Sequence, residues 1–196
     1  MRKKNIIKTQ EQLFSFFKDT SLKILKDTVI SFGNNLKLGS NILFRGKINL
    51  GKNNMIDSNC MLENINLGNN NHIKMSSLIS NSKISDNVII GPFAYIREKT
   101  NIHKNCIIGA YAEVTRSTIQ QKVYASHRTF IGDAKIGKEV IIGAGAVFCN
   151  YSFKNNSKNK SIIGKKSKIG SNSTIIAPCN MKPNTIVPAL TKFKNK

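Results

Sequence analysis

Tryptophan is absent, only 7% of the 196 residues are aromatic, and 10 acidic residues face 31 Lys and Arg. Few rings means few platforms on which nucleobases could stack, which counts against single-stranded nucleic acid as a partner. No apolar run approaches the roughly 18 residues of a membrane-spanning helix, so no membrane span is expected. The N-terminus, MRKKNIIKTQEQLFSFF, is basic but lacks the apolar stretch of a secretory signal. The four cysteines, Cys60, Cys106, Cys149 and Cys179, never form a C-x-x-C pair. That excludes a clustered zinc site, and no metal is expected. Isolated cysteines at this density read as small buried hydrophobes in a reducing compartment, which predicts a cytoplasmic protein without disulfides.

The net charge of +21 comes almost wholly from lysine, 26 Lys against 5 Arg, alongside 28 Ile and 25 Asn. All three abundant types have AT-rich codons, so base composition accounts for the excess. The basic residues are scattered, with local density only at Lys3–Lys4, Lys154–Lys168 and Lys192–Lys196. Nucleic acid is therefore not the expected partner. A basic surface still attracts phosphorylated small molecules.

What the chain has instead is a period of six. Ten of the 13 glycines directly follow Leu or Ile. Leu38, Phe44, Leu50, Ile56 and Leu62 form one ladder, and Ile84, Ile90, Ile96, Ile102 and Ile108 the next. Ile136, Ile142 and Phe148 follow, then Ile163, Ile169 and Ile175. Six fits neither the 3.6 of a helix nor the 2 of an exposed strand. It fits a solenoid in which each hexad is a short strand and a turn, with the aliphatic inward and a small residue at the corner. Three such faces make a coil of about 18 residues, and residues 33–190 would hold about eight or nine coils.

The ladder breaks in three places. Residues 1–30 lack it, and Gln10–Asp27 carries apolar residues at helical spacing, which predicts a helical arm. The register slips between Leu67 and Ser82. Residues 151–161, YSFKNNSKNKS, interrupt it completely and predict an outward loop. The expected organisation is an arm over 1–30, a solenoid domain over 31–190, and a basic tail over 191–196.

One segment is more specific than the hexad. Residues 91–151 carry GPFAYIRE, YAEVTR, SHRTFIGDAKIG and VIIGAGAVFCNY, and IGKKSKIGSNSTIIAP follows. These runs resemble the acetyltransferase half of the bifunctional glucosamine-1-phosphate acetyltransferase/N-acetylglucosamine-1-phosphate uridyltransferase family. The resemblance covers roughly residues 30–190. It implies an all-β, left-handed parallel β-helix of the hexapeptide-repeat superfamily. No Gly-rich nucleotide-binding unit precedes the solenoid, so a separate uridyltransferase is implied as a partner.

The resemblance also assigns roles. His127 in SHRTF matches the catalytic base that deprotonates the substrate amine, a task suited to histidine near neutral pH. Glu113 in YAEVTR matches the carboxylate that orients it. Ala144, Ser171 and Ala189 match the contacts to acetyl-CoA, made largely through backbone. Arg97 in YIRE matches the arginine for the sugar phosphate, whose fork suits that group. Asn150 and Tyr151 match the sugar-contacting pair. Lys154, Lys158 or Lys160 would supply a nearby loop lysine, with Lys158 as the working choice.

Three substrate positions differ from the family's runs: Thr115 stands for lysine, Phe130 for tyrosine and Ile141 for asparagine. Losing a polar partner in a sugar site costs about 1–3 kcal/mol if the group left behind stays buried. Acetyl transfer is thus implied more firmly than the particular sugar. Another amino sugar, a nucleotide-linked one, or a non-catalytic trimeric scaffold remain alternatives. A basic residue that the family directs toward CoA has Lys192, Lys194 or Lys196 as counterparts. The resemblance further implies a homotrimer with active sites shared between subunits.

Overall fold

The computed structural model describes residues 5–194, so Lys196 and the first four residues of the arm lie outside the described region. Between these limits the chain is an all-β, left-handed parallel β-helix of about ten turns, with one short helix at its N-terminal end.

Each coil has three short strands. On face I, Leu38, Ile56, Ile73, Ile90, Ile108, Ala125, Ile142, Ile169 and Val187 stand in one parallel register and point inward. Face II carries Phe44, Leu62, Ile79, Ile96, Val114, Ile131, Phe148 and Ile175 inward, and face III runs from Leu50 through Ile84, Ile119 and Ile163 to Met181. These side chains, almost all fully buried, fill the bore of the solenoid as one core. The predicted hexad aliphatics are the inward column of every face.

The coil length is not a constant 18. Successive face I aliphatics lie 18, 17, 17, 18, 17, 17, 27 and 18 residues apart. Four coils lose one residue at corner II, between faces II and III, as from Leu62 to Leu67 and Ile79 to Ile84. The slip expected over Leu67–Ser82 is therefore a regular shortening, and the coil runs on through it. The 27-residue step holds the interruption, which forms an antiparallel hairpin, Tyr151–Ser152 with Ser157–Lys158, leaving the solenoid at corner II.

The N-terminal region differs from the expected helix over Gln10–Asp27. The helix is Gln10–Phe17 only, opened by a capping box from Thr9 to Gln12 and ended by Lys18 in the left-handed region. Beyond it the chain already joins the solenoid. Leu22 is buried, Lys23–Ile24 pairs with Leu43–Phe44, and Val29–Phe32 pairs with Lys47–Leu50. The solenoid thus starts before residue 33 and has more coils than predicted. Leu13 of the helix is fully buried and Asn5–Ile7 pairs antiparallel with Ile30–Phe32, so the arm closes the end of the bore.

Candidate active site

Corner I, between faces I and II, is narrow. Its backbone ladder runs from Arg128 N–H to Ala110 O, Gly145 N–H to His127 O, Asn172 N–H to Ala144 O and Leu190 N–H to Ser171 O, at 2.8–2.9 Å. Ala110, His127, Ala144, Ser171 and Ala189 therefore stack as a single column on successive coils. Four of the residues singled out in the sequence, 62 positions apart at the extremes, meet on one edge. The amides of Ala144, Ser171 and Ala189 donate to no other backbone group. Glycine beneath the column has a steric cause: a Cβ on Gly143 would stand 2.6 Å from Ser171 N and 2.9 Å from Gly170 C. His127 is exposed, and a Cβ on Gly109 would stand 3.2 Å from its Nδ1. Just below it, Phe93 and Tyr111 stack at 5.0 Å, exposed and both at positive φ.

Face II crosses from this column to corner II. Its first outward column holds Tyr95, Glu113, Phe130 and Val147 in register, and at its far end Thr174 pairs with Lys192. Glu113 thus sits one coil from His127, past the same corner, with Glu113 N–H bonded to Thr129 O. Its carboxylate is engaged elsewhere: Arg97 Nε and NH2 donate to Glu113 Oε1 at 3.0 and 2.7 Å. The predicted substrate arginine and the predicted imidazole partner are bonded to each other.

Corner II carries a continuous chain of charged hydrogen bonds across four coils. Arg97 donates to Glu98, and Arg116 donates to Glu98 from the opposite side. Arg116 Nε and NH2 clasp Asp133 at 2.8 and 2.9 Å, and Asn150 Nδ2 donates to the same carboxylate. Thr115, fully buried, donates to Glu98 Oε2 at 3.3 Å. Gly132 is small because Phe130 and Asn150 crowd it: an added Cβ would stand 2.8 Å from Phe130 Cζ and 2.6 Å from Asn150 Nδ2. Tyr151 and Lys158 sit opposite each other in the hairpin beside this corner. Arg97, Thr115, Phe130, Asn150, Tyr151 and Lys158 are therefore gathered along face II and corner II. Ile141 is not: it lies 46% exposed on face I, on the other side of corner I, paired with Tyr124 and Lys168.

Three residues of this network, Glu98, Arg116 and Asp133, were not among the predicted site residues. Asp133 lies inside the GDA run, and a signal existed. The corner II position is Asn64 and Asn81 on earlier coils, then becomes charged at Arg116 and Asp133.

Burial works to raise the Asp133 carboxyl. The hydrogen bonds from Arg116 and Asn150, with the charges of Arg116 and Lys158, outweigh it and hold the group below its usual range. A carboxylate depressed in the fold stabilises it above the unfolded pKa, near 4. That contribution disappears as pH falls through the folded value. Asp133→Asn is expected to cost about 2 kcal/mol at neutral pH. The difference from wild type should shrink as pH falls below the usual carboxylate range, as followed by urea unfolding across pH.

Burial raises Cys60 and Cys179 and pushes Cys106 up to about 11. Cys149 departs from the expected burial of all four: it points outward on face II and is exposed. Among the described residues, no three His, Cys, Asp or Glu side chains gather as a metal site would require, and no helix is long and apolar enough to cross a membrane.

Fold and repeat together define the class: the chain is a hexapeptide-repeat parallel β-helix protein. Residues 81–116 match the family described as bacterial transferase hexapeptide (six repeats). Among curated relatives the chain is similar to the bifunctional protein GlmU. It is 36% identical over 162 residues to that of Baumannia cicadellinicola subsp. Homalodisca coagulata, covering 83% of this chain and 34% of that protein. It is 40% identical over 172 residues to that of Clostridium beijerinckii, covering 86% and 34%. The chain spans about a third of the length of these relatives. A solved UDP-N-acetylglucosamine acyltransferase from Campylobacter jejuni is 14% identical, with a TM-score of 0.44 over 89% of this chain and 72% of that one.

Proposed function

We propose that the protein moves the acetyl group of acetyl-CoA to the 2-amino group of glucosamine 1-phosphate, giving N-acetylglucosamine 1-phosphate. The observation carrying this reading is the corner I column, where His127 stacks with Ala144, Ser171 and Ala189 beside a face lined by Glu113 and Arg97. His127 takes the proton from the amine nitrogen as that nitrogen bonds to the acetyl carbon. Unpaired amides on the column, those of Ala144 and Ser171, suit the oxyanion that forms on the carbonyl. The carbon–sulfur bond then breaks, and the imidazolium returns the proton to the departing thiolate. No step calls for a metal ion. Acetyl-CoA brings the activated acyl group, and Ala144, Ser171 and Ala189 would hold it. Lys192, at the end of the outward column, has the charge suited to the CoA phosphates.

Arg97 and Lys158 would receive the sugar phosphate, and Asn150 and Tyr151 the sugar. Such a product feeds a uridyltransferase, supplied by another protein or another part of a longer one, toward the nucleotide sugar for cell-wall or lipopolysaccharide precursors. The second reading, an acetyltransferase for another amino sugar, draws on Thr115 and Phe130. The Thr115 hydroxyl is engaged with Glu98, and Phe130 lacks one. The test is release of CoA thiol by purified protein with glucosamine 1-phosphate, glucosamine 6-phosphate and UDP-linked amino sugars in parallel. Turnover only with a different amine would move the substrate. Turnover with none would remove the enzyme reading.

The protein would act in the cytoplasm as a homotrimer with shared sites. Supporting the trimer, the outward column of face I holds an apolar stripe, Ile89, Ile107, Tyr124 and Ile141, partly or fully exposed on a flat sheet, with Lys168 and then Ile186 beyond it. In that arrangement Ile141 would meet the site of a neighbouring subunit. Ile107→Asp is expected to convert the trimer to monomer in sedimentation velocity and to abolish turnover with it. A monomeric wild type, or an active monomeric variant, would exclude shared sites.

A further inference from the structure

The corner holding Glu98 is built differently from its neighbours. Five residues separate the inward aliphatics across corner II at Ile79–Ile84 and Val114–Ile119, but six at Ile96–Ile102. The extra residue gives two consecutive left-handed positions, Glu98 at φ 51° and Lys99 at φ 60°, a conformation that side chains other than Asn and Gly adopt at a cost. Lys99 N–H bonds to Asn81 O and Glu98 O accepts from Arg116 N–H, so two residues here stand against one on the coil to either side.

The bulge places one carboxylate between two guanidiniums. Arg97 is held from behind on its Nε and NH2 edge by Glu113, and Arg116 on its Nε and NH2 edge by Asp133. Each is left with NH1 directed at Glu98, one to each oxygen, and the Thr115 hydroxyl donates to the same group. Of the three carboxylates, Glu98 is the most exposed: 48% of its side chain, against 35% for Glu113 and 11% for Asp133. It is the one free to leave. It borders a cavity of about 780 Å³ that also presents Lys83, Lys99 and Arg116 among asparagines.

We infer that Glu98 is an internal stand-in for a phosphate monoester: NH1 of Arg97, NH1 of Arg116 and the Thr115 hydroxyl form an anion site that a substrate phosphate takes over as Glu98 swings out toward the cavity. This deepens the reading of Arg97 as a phosphate ligand and rests on it. It adds Arg116 as the second cation, so that Thr115 at a position expected to carry lysine leaves the site with two positive groups. One NH1 donor on each side, its guanidinium fixed from behind by a carboxylate, gives a directed geometry that a freely rotating lysine ammonium lacks. Glu98 also sets a threshold, because a neutral amino sugar cannot displace a carboxylate from two arginines.

The experiment is titration of the full chain with inorganic phosphate, read by the Nε–H resonances of Arg97 and Arg116 and by calorimetry. Phosphate should move both resonances in the wild type. Glu98→Gln, which keeps the shape and removes the charge, should tighten phosphate binding about tenfold, and Arg116→Gln should weaken it by a similar factor. A purely structural Glu98 predicts the reverse for Glu98→Gln. Unchanged or weaker binding in a folded Glu98→Gln protein, or a wild-type response at Arg97 alone, would overturn the inference. If Glu98→Gln does not fold, Glu98→Ala and the wild-type resonances decide. Acetyl transfer is not read here, so phosphate binding of this kind without turnover would remove the proposed reaction and leave the anion site standing.

Discussion

Replacing His127 by alanine is expected to lower kcat for acetyl transfer about a thousandfold, with little change in KM for either substrate. The residue is exposed on a corner, so its removal leaves the core untouched. The variant should unfold at the wild-type urea concentration. The same loss should appear with every amine that the wild type acetylates, because the proton transfer belongs to the mechanism and not to the sugar. A variant retaining a tenth of wild-type turnover would mean that the column binds without supplying the base. Glu113→Gln should be milder and more informative. Because Glu113 holds Arg97, it should raise KM for the phosphorylated amine as well as lower kcat, a split that a pure imidazole-orienting role would not give.

Gly143→Val should be strongly damaging although the residue lies outside the bore. The new Cβ would stand 2.6 Å from Ser171 N and 2.9 Å from Gly170 C, and both are backbone atoms that no rotamer can move aside. Overpacking of this kind costs about 3 kcal/mol. The strain falls at the step between the coils of Ala144 and Ser171, so activity should fall further than stability. Urea midpoints and CoA thiol release on the same preparation check both parts. A variant that loses 3 kcal/mol yet keeps its turnover would show that the Ser171 coil takes no part in holding the acyl donor.

The inward columns were legible because burial in a narrow bore leaves aliphatics no alternative, and their six-residue recurrence follows from the three-faced geometry. The shortened corner was not legible, since dropping one residue between Leu62 and Leu67 looks like loss of pattern until the strands are paired. The arm was overextended for a related reason. Leu13, Phe14, Phe17, Leu22 and Leu25 stand at roughly helical spacing, and the six residues from Ile24 to Ile30 are too short a run to announce a coil. The His127, Ala144, Ser171, Ala189 column was found through motif resemblance, and its coherence shows only when the ladder is traced. Glu98, Arg116 and Asp133 were missed because charges at a turn usually face water. What distinguishes these is the bulge and the alignment of three coils, and both depend on register.

Asparagine was first accounted for by codon bias. Of the 25 asparagines, 12 occupy positive-φ positions, and these recur at the solenoid's corners, as at Asn35, Asn53, Asn70, Asn87 and Asn105. Several also join hands from coil to coil, as Asn35, Asn53 and Asn70 do at 2.9 Å. Asparagine is the side chain that tolerates this conformation best after glycine. A genome drifting toward AT therefore delivers, again and again, the residue that a three-cornered coil can absorb. In most folds such drift erodes stability at scattered sites. Here mutational supply and stereochemical demand coincide at many of the turns, and corner II departs from asparagine where Glu98, Arg116 and Asp133 build their charged network.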